Sequence, residues 1–286
     1  EEFVKLNLLE YYDALLESDS TLAKNTQKAY RVNASFMRKY QKHIGRELQV
    51  IDIDGNFKDT FIKYCREQGY PESTLKGQLG RLKAVCLYAE QRGEIIHNQV
   101  KNLTKNIRVQ PTLSVFLTSS EIDDIIALNI KDSALDIARD WLVVSCYIGQ
   151  RSASLFKLTK DNIHIKSNTI RLKQVKTGAN VVIPILPQVQ AILDKHKGSF
   201  PPLFSNKQHH NYNRYNDLIK EVCKLAGINE LCKGRNKNIG GRMSKVITKP
   251  KWELITSHIG RRSFATNFYG KINQQLIQSV TGHKTE

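Results

Sequence analysis

The second half of the chain turns on residues 257–269, SHIGRRSFATNFY, where His258 and Arg261 stand three positions apart. On a helix that spacing sets an imidazole and a guanidinium on one face. Upstream, Ile148-Gly149-Gln150-Arg151-Ser152 puts an arginine just past an apolar helical run and beside a glycine. Between the two, Lys176 lies in Val175-Lys176-Thr177-Gly178, which reads as the turn of a hairpin. Downstream, Thr281-Gly282-His283 places a histidine after a helix-ending glycine. Each feature alone has a bland reading. An arginine after a glycine is usually a surface residue, a turn lysine is usually solvated, and H-x-x-R arises often by chance. The ordered set, spread over about 130 residues, is what carries weight.

Around this set the chain divides by pattern. Residues 3–16, 26–44 and 57–68 have apolar residues at helical spacing, with Asp52-Ile53-Asp54-Gly55 as a turn between the last two. Ser73 is placed as the cap of a fourth helix that Gly93 closes. Residues 1–105 are therefore expected to form an all-helical domain. The polar, basic stretch 105–114, KNIRVQPTLS, suits a connection, with the linker proper at 106–114 and a second domain at 115–286. In that domain Thr118 or Ser119 with Glu121 starts a helix, and helical character returns from Asp132 to Ile148. Short strands are read at 159–165, 169–174 and 180–185. Helices follow from Pro187, from 213 to 226, from 257 to 268 and from 273 to 280. The expected class is α+β and mostly helical: an all-α N-terminal domain, then a mixed domain with a small antiparallel sheet.

Composition narrows the partners. Lys and Arg total 44 against 27 for Asp and Glu, a net charge of +17. Such a chain seeks a polyanion, nucleic acid first and an anionic membrane surface second. No apolar run reaches spanning length, so no membrane segment is expected. Residues 233–251, KGRNKNIGGRMSKVITKPK, hold seven basic residues and no acidic one, and are expected to follow phosphates rather than read bases. From that tract Arg235, Lys237, Arg242 and Lys245 are candidate DNA contacts. Lys76, Arg81 and Lys83 are the candidates on the fourth helix. The five cysteines are odd in number and include no C-x-x-C pair, so buried free thiols in a reducing cytosol are expected. No metal is expected, because Cys223 and Cys232 with His209 and His210 match no zinc spacing.

The words IGQRSASLFKL, KTGANVVIPI, SHIGRRSFATNFY and VTGHKTE resemble the catalytic domain of the tyrosine recombinases, the phage and conjugative-element integrases, with a flavour of mobile elements in Bacteroides-like bacteria. TQKAYRVNASFMRKY and STLKGQLGRLKAVCLYAEQRG resemble that family's helical core-binding domain, so the likeness covers nearly the whole chain. It implies a site-specific recombinase that integrates or excises a mobile element through a 3′-phosphotyrosine. Arg151 and Arg261 would hold the scissile phosphate, Lys176 would protonate the leaving 5′-oxygen, His258 would assist proton transfer and His283 would hydrogen-bond the phosphate. No cofactor is implied. The implied partners are double-stranded DNA at specific core sites, a homotetramer of full-length chains and accessory DNA-bending proteins. The implied location is the bacterial cytoplasm, on the nucleoid. Two departures stand out. Ser154 occupies a place that is usually acidic. The family's tyrosine lies on the order of ten residues past the G-H histidine, whereas the sequence ends at Glu286 with no tyrosine after His283. These residues alone are expected to bind DNA without cleaving it. A catalytically inactive DNA-binding regulator on the same fold is the alternative. A topoisomerase-like relaxing enzyme and a basic RNA-binding protein rank below it.

Overall fold

The computed structural model describes residues 6–18, 21–111, 113–175, 178–237 and 244–282, without the side chains of residues 208, 235–237 and 244–245. Two compact units emerge, one built on residues 1–112 with 235–245 and the other on 113–234 and 246–286.

The first unit contains α1 (Leu8–Ser18), α2 (Lys24–Ile44), α3 (Gly55–Glu67) and α4 (Glu72–Gln91). The Asp54 side chain accepts the Phe57 N–H at 2.7 Å and fixes the start of α3. Helix α4 begins two residues earlier than a cap at Ser73 would set, at Glu72 after Pro71, and Ser73 does not cap it. Proline sets the extended entry there and no side-chain cap is made. Tyr40 lies at the centre of the core, edge-on to Phe57 and Phe61 with ring centroids 5.6 and 5.0 Å away. A buried polar chain joins three helices: the Tyr12 hydroxyl donates to Asn33, whose amide donates to Gln78. Every member has a partner, so this chain specifies the packing without leaving a desolvated group.

The second unit contains α5 (Ser119–Ala127), α6 (Ser133–Ile148), the single turn α7 (Ser152–Leu155), α8 (Pro187–Lys195), α9 (Gln208–Leu225), the short α10 (Lys251–Leu254), α11 (Ile259–Phe268) and α12 (Gln274–Thr281). Its strands are β1 (Ile163–His164), β2 (Thr169–Lys173) and β3 (Asn180–Pro184), and β4 (Leu231–Lys237) starts and β5 (Ser244–Pro250) ends in it. Strands β1–β2–β3 form an antiparallel sheet with Ile170 opposite Ile183 and Leu172 opposite Val181. These four residues face the core by the period-two rule. Thr118 and Glu121 make the expected capping box at the start of α5. Trp141 is fully buried on α6, stacked on Phe200, with its indole N–H donating to the Pro202 carbonyl at 3.0 Å.

Three stretches differ from the sequence reading. The strand expected at 159–165 is reduced to two residues, because Thr159 and Asn162 close a 3-10 turn on each other's backbones. Helix α9 starts at Gln208 rather than 213. Strands β4 and β5, a two-stranded sheet, occupy ground read only as a basic tract. Cys65, Cys86, Cys146 and Cys223 are buried free thiols and Cys232 is half-buried. Burial pushes the first three up to about 12, so they stay protonated and inert at neutral pH. Among the described residues no helix is long and apolar enough to cross a membrane.

Candidate phosphate site

Helix α6 runs through the core of its unit and stops at Gly149, whose φ of +64° turns the chain sharply. Gln150 and Arg151 follow, and Arg151 becomes the N-terminal cap position of α7. Helix α11 lies against α6. A Cβ on Gly260 would fall 1.8 Å from the Ser145 Oγ and 2.8 Å from that residue's carbonyl carbon. A Cβ on Gly149 would meet the Phe264 ring at 2.6 Å. The two helices thus touch through glycine, and this approach brings Arg261 to the end of α6. Arg261 is 5% exposed, and its guanidinium donates to the Gly149 carbonyl at 3.2 Å. Alanine at position 260 is expected to push the helices apart and destabilise the unit by about 1–3 kcal/mol. Chemical denaturation measures this, and a change below a few tenths would refute the close-packing account.

Burial pulls the Arg261 guanidinium down to about 10, and the positive charge of Arg151 pulls it in the same direction. It remains cationic at neutral pH. Arg151 lies near enough for its charge to act on the buried Arg261. An anion that accepts from both forks is stabilised by both charges.

Under this pair lies a polar network. Gln150 and Gln174 are 1% and 2% exposed. The Gln150 amide donates to the Ile148 and Val280 carbonyls at 3.0 and 2.7 Å. The Gln174 amide donates to Gln150 Oε1 at 2.9 Å and to the Val280 carbonyl at 3.2 Å. Arg151 Nη1 donates to Gln174 Oε1 at 3.5 Å. The Ser154 hydroxyl accepts the Val175 N–H at 3.3 Å, so it ties α7 to the β2–β3 turn instead of offering a charge.

Among the sequence candidates, Arg151 and Arg261 come together. His258 is exposed and precedes α11 as its cap residue, rather than sitting within the helix. Lys176 and His283 lie outside the described residues, but their neighbours converge. Gln174 closes the hairpin through Ala179, and a Cβ on Gly282 would lie 2.2 Å from Gln174 Oε1. On α4, Lys76 is exposed, Arg81 donates to the Gly77 carbonyl at 3.0 Å and Lys83 to the Lys101 carbonyl at 2.6 Å. Arg242 and the side chains of Arg235, Lys237 and Lys245 lie outside the described residues. At the end of the basic tract Lys251 does not face solvent. It is 5% exposed, with its ammonium 2.7 Å from both Glu121 oxygens. Lys249 pairs with Glu253 at 2.7 Å. Sequence reasoning missed Gln150 and Gln174. One signal was available: Ile170, Leu172 and Gln174 share one face by alternation, which puts an amide where the core should be.

Comparison with known proteins accounts for both units. The model of the phage integrase SAM-like domain matches residues 7–107, and that of the phage integrase family matches residues 115–286. The tyrosine recombinase XerC of Roseiflexus sp. (strain RS-1) is 23% identical over 94% of this chain and 82% of its own length. The fold resembles that of a lambda integrase tetramer bound to a Holliday junction, with a TM-score of 0.66, 17% identity, and coverage of 97% of this chain and 76% of that one. It also resembles the Tn1549 transposon integrase in complex with transposon right end DNA, with a TM-score of 0.72, 16% identity, and coverage of 98% and 92%.

Proposed function

We propose, because this chain belongs to the phage integrase family, that Arg151 and Arg261 hold the scissile phosphate during DNA strand exchange. The protein is a site-specific DNA recombinase of the tyrosine type, and its reaction breaks and rejoins DNA strands. The observation that carries the site assignment is the pair of adjacent guanidiniums at the junction of α6 and α11, one buried against Gly149. Guanidinium suits the task because it keeps its charge and offers planar N–H donors to phosphate oxygens. Two such groups stabilise the charge that builds on a five-coordinate phosphorus. Lys176 is assigned as general acid for the departing 5′-oxygen. His258 is assigned to proton transfer and His283 to a hydrogen bond with the phosphate. A tyrosine attacks and forms the 3′-phosphotyrosine, which conserves the energy of the phosphodiester.

We assign residues 1–105 to core-site DNA binding and 106–114 to the connection, with duplex DNA as partner and four protomers joining two duplexes. The exposed Lys76 and the tract holding Arg235, Lys237, Arg242 and Lys245 are the proposed backbone contacts. Integration or excision of a mobile element is the proposed outcome, carried out on the bacterial nucleoid. A nicked suicide duplex carrying the element's junction tests this reading. The full-length protein is expected to give a covalent protein–DNA band on a denaturing gel. Site-specific binding with no band would favour the inactive regulator.

A further inference from the structure

We infer that Gln174 is the positioning residue of Arg151, supplying by a neutral amide the orientation that Ser154 does not supply. The inference rests on the reading that Arg151 holds a phosphate. The Val280 and Ile148 carbonyls can only accept hydrogen bonds, so both Gln150 N–H donors must face them. Gln150 Oε1 is then left to accept, and it accepts from Gln174. The second Gln174 donor goes to Val280. The network therefore has one assignment, and it directs Gln174 Oε1 toward Arg151. The separation, 3.5 Å, is at the long end of the hydrogen-bond range.

The use of an amide has an electrostatic consequence. A carboxylate beside Arg151 would orient the guanidinium and cancel part of its charge. An amide oxygen orients it and leaves the site with two full cations. Among the described residues Arg151 forms no ion pair, and the Ser154 hydroxyl is committed to the Val175 N–H. Gln174 also lies two residues before Lys176, and its Val280 contact lies three residues before His283. One buried amide thus meets the arginine directly and the flanks of the lysine and histidine.

The test uses the 286-residue chain and inorganic phosphate as probe, read by the Arg261 side-chain Nε–Hε signal in NMR. Four proteins are compared: wild type, Gln174→Met, Arg151→Ala and the double variant. Gln174→Met is expected to weaken phosphate binding roughly three- to ten-fold, in the lower part of the range of coupling between contacting groups. In the Arg151→Ala background the same change is expected to do nothing further. Equal weakening in both backgrounds, or none in the first, overturns the inference, because a merely structural role would not depend on Arg151. Should Gln174→Met fail to fold, Gln174→Asn withdraws the oxygen by one methylene, and the same two comparisons decide. If wild type and Arg151→Ala bind phosphate equally, the phosphate-site reading itself has failed, an outcome distinct from the failure of Gln174 alone.

Discussion

Arg261→Ala is expected to abolish covalent capture of DNA while leaving duplex affinity within a few-fold of wild type. Duplex affinity is spread over many phosphate contacts in a chain of net charge +17, so one buried guanidinium contributes little to it. The transition state has no such redundancy. Loss of one preorganised donor to a developing charge typically costs about 10²–10³-fold in rate, and Arg261 offers a fork rather than one donor. Arg261→Lys is expected to fail nearly as badly. An ammonium reaching this position cannot meet both the Gly149 carbonyl and a phosphate in one plane, and burial would favour its neutral form. The guanidinium is held near 10, so charged Arg261 predominates through neutral pH, and its contribution is lost only as pH rises toward that value. Single-turnover adduct formation and mobility shift on the same duplex check the pair of effects, using a gene product that forms the adduct. Wild-type adduct yield from the alanine variant would end the assignment.

How much of this site the sequence carries depends on what holds each part. Arg151 and Arg261 are legible because glycine beside arginine and H-x-x-R are local patterns tied to the ends of apolar helices. The capping box at Thr118 and Glu121 is legible for the same reason. Helix α11 is legible in extent, but its first residue is Ile259, so His258 flanks the helix instead of sharing its interior face. The hairpin β4–β5 is not legible, since its strands offer no apolar alternation. Leu231 and Val246 are 68% and 56% exposed, and backbone pairing rather than burial defines them. Lys251 misleads in the other direction. In a basic tract it reads as a phosphate contact, yet its partner Glu121 lies 130 positions away and draws it inside. The Gln150–Gln174 pair is hidden by the same physics. Hydrophobic patterning marks what is buried by being apolar, and these amides are buried by being satisfied across separate elements.

Asp140→Ala is expected to destabilise the second unit by about 3–5 kcal/mol, the usual cost of removing one partner from a buried ion pair. Asp140 projects from α6 with its side chain 2% exposed. Its carboxylate meets Arg139 at 3.0 Å, Lys195 at 2.7 Å and His196 at 2.8 Å. Lys195 and His196 stand at the C-terminal end of α8, so the carboxylate joins that end to α6. Alanine would leave Arg139, 13% exposed, with Asp136 and the Leu128 carbonyl, and would leave His196 without its carboxylate. Burial by itself would raise the Asp140 carboxyl, but the hydrogen bonds from Lys195, His196 and Arg139 more than offset it and hold the group below 3.8. A carboxyl depressed in the folded state stabilises the fold above its unfolded value, and the contribution is lost as pH falls through the folded value. The gap between wild type and Asp140→Ala should therefore be constant at neutral pH and narrow below about pH 4. Urea denaturation at pH 7 and at pH 3 measures both parts, and at pH 7 the melting temperature should fall by roughly 10 °C. A loss under 1 kcal/mol at pH 7, or a gap unchanged at pH 3, would mean that apolar packing of α6 against α8 holds the seam without the charge cluster.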